Sequence, residues 1–330
     1  MFRQTPLRSV TLALIVAGLA AHAIWGGFFD REIVIEIAIL ALLAISLDLV
    51  AGFGGLISLC HGAIYGIAAY GFAASTVKLG LGTGPGMVLG LLLATLFGLA
   101  VGAVTASTTG IFFIMATLAF GQMVYVGVFR WGWLGGDDGL PGVPRISLDW
   151  LGINLTSSLN YALFALAVLV LGYLIAALIL RSAFGRTLSG VHANEARMRA
   201  IGVNTRRHKA LAFGLSAFLA GLAGLLAAQH TQFVSPGMMH WMLSGEVLIV
   251  VILGGIGTLV GPVLGAAIFV LLKHEISSLT SYWHIVVGGV LIAAVLAGGR
   301  GIFGEIEYRL GRWRRGQRPA GDHEAERADA

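Results

Sequence analysis

Long apolar runs separated by short polar breaks dominate the chain. A membrane-spanning helix needs roughly 20 mostly apolar residues. Nine runs come near that length: Ser9 to Gly26, Glu32 to Gly52, Leu56 to Val77, Gly86 to Ala106, Ile111 to Phe129, Leu159 to Leu180, Ala210 to Ala228, Glu246 to Leu272 and Tyr282 to Ala297. The first also has the shape of a signal peptide: basic residues, an apolar run, then Ala21-His22-Ala23. The many runs that follow favour a retained helix over a cleaved leader.

Composition narrows the class further. Charged residues make up 11% of the 330 and hydrophobic ones 57%, against about 25% charged in an average soluble domain. So few charges cannot cover that much apolar surface, which excludes a soluble enzyme, a disordered chain and a nucleic-acid-binding domain. One cysteine, Cys60, rules out an intramolecular disulfide and a cysteine metal cage.

The net charge of +5 is small, but its placement orients the chain. Residues 181–209 carry seven basic groups, from Arg181 to Lys209, against Glu195 alone; 300–318 carry six arginines against Glu305 and Glu307. Residues 131–180 hold only Arg145 against Asp137, Asp138 and Asp149. Short basic loops stay on the cytoplasmic side, so 1–8, 181–209 and 300–330 are expected inside, and 131–157 outside. These basic clusters lie directly beside spans, which argues against nucleic acid as a partner and for a lipid membrane. An odd number of spans conflicts with two cytoplasmic ends. The run from Glu246 to Leu272 resolves the conflict, being broken by Gly254-Gly255-Ile256-Gly257-Thr258 and Gly261-Pro262. Such backbone at membrane depth must be buried in protein or line a cavity. The expected fold is therefore all-α: a polytopic membrane helical bundle of about 8–10 transmembrane elements, Gly-broken short helices included. A transmembrane domain occupies 9–299, and the tail 300–330 is expected to be partly disordered.

A faint internal echo relates Gly54, Gly55, Ser58 and Leu59 to Gly254, Gly255, Thr258 and Leu259. Paired Gly-broken segments mark the transport site in many carriers. The translocation pathway is therefore expected around Gly54, Gly55, Ser58, His61, Gly254, Gly255, Gly257, Thr258, Gly261 and Pro262. For His61, bridging helices by hydrogen bonds is the plainer alternative. Intramembrane acids are few, and Asp48, Glu246, Lys273 and Glu275 all stand near span ends. Asp48 reads either as a pathway group or as a helix-packing group. No GxxxxGK[ST], HExxH or GxSxG motif occurs, so the chain shows no signature of its own ATP binding or hydrolysis. The nine histidines show no metal-ligand spacing.

The loop 181–209 carries one further signal. Asn194 is a good N-cap, Gly202 suits the left-handed C′ position, and Glu195 precedes Arg199 by four. The helix they bracket is too short to be stable alone; it wants a partner surface.

Taken together, these motifs make the chain resemble a permease of the branched-chain amino-acid ABC importers over about residues 30–300. The resemblance rests on Gly54-Gly55-Leu56-Ile57-Ser58-Leu59-Cys60-His61-Gly62-Ala63, on Thr117-Leu118-Ala119-Phe120-Gly121-Gln122 and on Gly135-Gly136-Asp137-Asp138-Gly139-Leu140. It continues through Phe184-Gly185-Arg186, Asn194-Glu195, Ala200 and Gly202, then Gly245-Glu246, Leu253-Gly254-Gly255-Ile256-Gly257-Thr258-Leu259 and Gly261-Pro262-Val263-Leu264-Gly265. Two departures stand out: Cys60 where the family has Gly, and a less basic stretch before Asn194. The resemblance implies two ATPase subunits holding ATP and Mg, a second homologous permease, and an external solute-binding protein, in a bacterial inner membrane. It implies no cofactor on this chain and no catalysis by it. Gly185, Arg186, Asn194, Glu195, Ala196, Ala200 and Gly202 would form the ATPase-coupling surface. Relatives with these motifs carry urea, short amides or other amino acids; a passive channel or an ion-coupled carrier is more remote.

Overall fold

The computed structural model describes residues 6–147, 155–279, 285, 286, 288, 289 and 301–316. In chain order its helices are α1 (Pro6–Trp25), α2 (Phe28–Ala51), α3 (His61–Ala73), α4 (Thr83–Thr105), α5 (Ile111–Arg130), α6 (Ser158–Arg181), α7 (Ala183–Ala193), α8 (Glu195–Ala200), α9 (Thr205–Thr231), α10 (Trp241–Gly254), α11 (Val260–Leu279) and α12 (Gly301–Gly316). A π-helical turn, Ala74–Lys78, prolongs α3. Among the described residues seven helices are long and apolar enough to cross a membrane, namely α1, α2, α4, α5, α6, α9 and α11; α10 is a shorter apolar helix.

The axis of the bundle is α2. It is apolar on every face and buried from Ile37 to Ala51 without a break, as an all-round hydrophobic helix should be when it is the core. Around it stand α1, α6, α9, α10 and α11. A second layer, α3 with α4, packs on α9. Lipid tails are as apolar as leucine, so close packing rather than hydrophobic exclusion must hold these helices together. Along α4 the buried positions include Gly86, Gly90, Ala94, Gly98 and Gly102, one small residue per turn. A Cβ at Gly102 would stand 2.6 Å from that of Phe213.

Contacts sort the loops into two ends. At one, Arg8 pairs with Glu307 at 2.8 Å, joining α1 to α12. That end also holds Asp48, α7, α8 and the α10–α11 break. At the other, β1 (Leu140–Pro141) pairs antiparallel with β2 (Phe233–Val234). There Arg145 donates to the carbonyls of Gln229 (3.0 Å) and His230 (3.2 Å), capping α9. Trp25, Phe29, Trp131 and Trp241 are exposed near this end, an arrangement suited to a membrane–water boundary.

The α10–α11 break falls at the glycines where the sequence puts it. The third run behaves differently: residues 52–60 are not helical, and α3 begins only at His61. Hydropathy is blind to this, since the segment is as apolar as a span. Gly55, at φ +68°, ends α2 in the left-handed region that glycine enters without cost. In the loop 181–209 two helices stand rather than one, because α7 precedes α8. The tail opens with α12; residues 317–330 lie outside the described residues, as does nearly all of the expected span Tyr282 to Ala297.

Candidate coupling surface and translocation site

The expected coupling helix is α8. The Asn194 Oδ1 accepts from the Arg197 N–H at 2.9 Å, satisfying one orphan donor of the first turn. Gly202 sits at φ +88°, and the Val203 N–H returns to the Met198 carbonyl at 3.0 Å, closing the C-terminus. Glu195 points inward: one oxygen meets Arg199 at 2.7 Å and the other meets Lys209 of α9 at 2.7 Å. Burial would push its carboxyl up, but hydrogen bonds from Lys209, Arg199 and Thr205 outweigh that and hold it at about 2. The residues α8 leaves exposed are Ala196, Arg197, Arg199 and Ala200, with Ile201 just beyond. Arg186 is exposed on α7, its guanidinium donating to the Arg181 carbonyl at 3.0 Å. Gly185 is buried where α7 turns back on Leu180.

The amphipathic α7 carries this surface onto the bundle. Its Leu188 and Val191 are buried. A Cβ at Gly54 would lie 3.3 Å from Leu188 Cδ1, and one at Gly55 2.8 Å from His192 Nε2. The Gly54-Gly55 segment in turn abuts the α10–α11 break, since a Cβ at Gly52 would lie 2.5 Å from the Gly257 amide nitrogen. Thus the two glycine segments, 200 residues apart in sequence, form one junction with α7 beneath it. Asp48 locks it. Fully buried, its carboxylate accepts from the Gly257 N–H at 2.6 Å and the Leu259 N–H at 3.0 Å. Leu259 has φ +61°, a strained conformation for a branched side chain that costs of order 1–3 kcal/mol. Thr258 accepts from the Gly261 N–H at 2.9 Å and donates to the Gly255 carbonyl at 2.7 Å. Pro262 stands in the first turn of α11, where its missing N–H costs nothing.

Ser58 and His61 belong to a different layer, deeper in the bundle. Ser58 accepts from the Cys60 N–H at 3.2 Å, and the Leu59 N–H is held by Thr117 of α5 at 3.2 Å. The Ser216 hydroxyl donates to the Ser46 carbonyl at 2.6 Å and so accepts from His61 Nε2 at 2.8 Å. His61 therefore bridges α3, α9 and α2, all within buried surroundings.

Open space lies toward the opposite end. A cavity of ≈ 380 Å³ is walled by Glu32, Glu36, His230, Glu246, Lys273 and His274, and deeper by Ile39, Leu40, Leu43, Leu243 and Phe269. Two close contacts lie in its wall, Lys273 with Glu36 at 2.8 Å and His230 with Glu32 at 3.2 Å. Helices α2, α10 and α11 run from this cavity to the glycine junction. Twelve residues separate Glu36 from Asp48, roughly 18 Å at 1.5 Å per residue. The sequence pathway residues omit this cavity. Glu32 and Glu36, four apart on one apolar helix, with Lys273-His274 at the same end of another, were the signal for it.

A family model described as the branched-chain amino acid transport system permease component matches residues 31–295. The high-affinity branched-chain amino acid transport permease LivM of Escherichia coli is 28% identical over 314 residues, covering 87% of this chain and 74% of the relative. Its Salmonella typhimurium counterpart is 27% identical over 310 residues, 86% and 72% of the two chains. The autoinducer 2 import permease LsrC of Salmonella typhi is 30% identical over 181 residues, about half of each chain. With four-fifths of the polypeptide inside that match, and an all-α polytopic bundle to go with it, this chain belongs to the branched-chain amino acid transport permease family.

Proposed function

We propose that the chain is the membrane-spanning permease of an ATP-binding-cassette importer that moves branched-chain amino acids into the cell across the bacterial inner membrane. The observation that carries this reading is α8: a six-residue helix, capped at both ends, held against the bundle by α7 and facing outward with Ala196, Arg197, Ala200 and Ile201. A helix that short gains no stability of its own, and its exposed face suits a groove on a partner. The partner is one of two ATPase subunits, which hold ATP and Mg. A second homologous permease completes the path, and a soluble binding protein delivers the solute from outside. The end bearing Arg8, α7, α8 and α12 is then cytoplasmic, and the β1–β2 end external. The junction of Gly52, Gly54, Gly55, Gly254, Gly255, Gly257, Thr258, Gly261 and Pro262 closes the inner end of the pathway, with Ser58 and His61 above it.

The LivM relatives favour leucine, isoleucine or valine as cargo. The LsrC relative supports a second reading, the same machine with a different polar cargo, which includes urea, short amides and other amino acids. Uptake of labelled leucine against labelled urea, in a strain deleted for this chain and complemented with it, separates the two. Co-purification of the ATPase with the wild-type chain, cut about tenfold by Glu195→Lys or Gly202→Val with membrane insertion unchanged, supports the coupling role. Normal co-purification and normal substrate-stimulated hydrolysis in both variants would return α7–α8 to a plain connector.

A further inference from the structure

We infer that α12 is an interfacial helix: it binds the anionic lipid headgroups of the membrane surface and pins the α10–α11 break to that surface. The inference rests on α1 being a membrane span and on no particular cargo.

Pattern comes first. Ile302, Ile306, Leu310 and Trp313 recur at spacings of four, four and three, which puts them on one face of a helix. Arg309 and Arg314 fall by register on either flank of that stripe, with Arg312 and Arg315 behind it. At 16 residues α12 is too short to span a bilayer. A narrow apolar face rimmed with arginine is the make-up of a helix that lies in the headgroup layer. Charge agrees. Residues 309–318 hold five arginines, and no acid occurs between Glu307 and Asp322. A basic cluster of that size beside a span is drawn to an anionic leaflet.

The bundle then sets the depth. Arg8 opens the span of α1, and its guanidinium donates to both Glu307 oxygens, at 3.1 and 2.8 Å. That bidentate pair holds α12 where a span meets water. Ile306 and Tyr308 are 43% and 47% exposed at that level. The seat of the helix is equally definite. It packs on α10 and α11, with Phe303 buried. Gly301 has φ +67°, and a Cβ there would collide with the Gly255 main chain and lie 2.7 Å from the Ile252 carbonyl oxygen. The first turn of α12 therefore cannot lift or tilt without moving the α10–α11 break. A groove on a soluble partner also accepts an amphipathic helix; the depth fixed by Arg8 favours lipid.

The test uses the purified complex with the full chain, in vesicles of phosphatidylcholine alone or with about one-third phosphatidylglycerol. In a Cys60→Ser background, Ile306→Cys carries a fluorophore that nitroxide-labelled phosphatidylcholine quenches. Quenching should be about fivefold stronger in the anionic vesicles, the scale of one arginine at a charged surface, and should fall as salt is raised. Replacing Arg309, Arg312, Arg314 and Arg315 together by Gln should abolish the difference, whereas replacing all four by Lys should keep it. Should the fourfold Gln variant fail to assemble, Arg312→Gln with Arg315→Gln should still reduce the difference at least twofold. Equal quenching in both vesicle types, or a difference that survives the Gln changes, overturns the inference. A probe shielded from quencher in both vesicle types, and released when the accompanying ATPase is stripped off, places α12 on that subunit and overturns it as well. Hydrogen exchange of the 252–262 segment is the second readout. It should be about threefold slower in anionic vesicles for the wild type and indifferent to lipid in the Gln variant; wild-type exchange indifferent to lipid overturns the link to the break. Neither readout needs transport, so cells that take up no leucine would count against the cargo alone and leave both results standing.

Discussion

The two ends of α2 are built on opposite rules. At the Asp48 end the chain crosses itself with glycines, and a buried carboxylate accepts from two backbone N–H groups. At the Glu36 end acids and bases stand partly exposed around open space. Buried polar groups matter to stability because an unmet partner has no water to turn to, whereas partly exposed ion pairs are worth about 0–1 kcal/mol. One end should therefore respond to mutation through folding, the other with the fold intact.

The sharpest way to break it is Gly52→Leu. The new Cβ collides with the Gly257 backbone, and neither main chain can yield without moving α2 from α11. A loss of about 3 kcal/mol or more is expected, seen as a low yield of assembled complex; wild-type yield and melting would mean the junction is loose. Asp48→Ala comes next. It leaves the Gly257 and Leu259 N–H groups unmet at about 1–3 kcal/mol each, with Leu259 still strained, so the purified complex should melt early and import little. Glu195→Lys acts at the coupling surface. It strands the buried Lys209 beside a like charge and should cut ATPase co-purification about tenfold, the scale of an interface hot spot, with the chain still inserted.

Acidity probes the same residue more gently. Glu195 titrates at about 2 rather than its ordinary 4.5. A lowered carboxyl contributes its stability above the ordinary value and loses it as pH falls through the folded one. ATPase co-purification should therefore stay flat from pH 8 to 5 as far as Glu195 is concerned. A fall across that range that disappears in Glu195→Gln would contradict the placement. The smallest structural effect belongs to the cavity: Glu36→Gln should shift stability by under about 1 kcal/mol, because Glu36 and Lys273 side chains are 38% and 35% exposed. A melting loss as large as that of Asp48→Ala would erase the contrast between the ends.

How much of this the sequence disclosed depends on whether the signal was local. The break between α10 and α11 was local, five residues with three glycines, and falls where expected. So was α8, whose caps lie within nine residues. The start of α3 was not legible, because Leu56 to Cys60 is as apolar as any helix and only its contacts with Thr117 and with the bundle make it irregular. Asp48 was visible as an acid near a span end, but its partners lie 209 and 211 residues away. Without the fold, the packing and pathway readings both stayed open, packing the favoured one. Glu195 was read as a charge offered to a partner; it is turned to Lys209 instead, fourteen residues on, leaving Arg197 and Ile201 as the offered groups. The cavity was missed because its ionisable groups lie on four helices, separated by up to about 240 residues in the chain.

The 209 residues between Asp48 and Gly257 also set a schedule for biogenesis. Synthesis proceeds at about 5–20 residues per second, so the carboxylate waits on the order of tens of seconds in a half-made protein before its amide donors exist. A charge at the centre of a span would spend that interval in hydrocarbon. Asp48 sits instead three residues from the end of α2, close enough to water to remain solvated during the wait. Its two amide donors, Gly257 and Leu259, are made only in the last third of the chain.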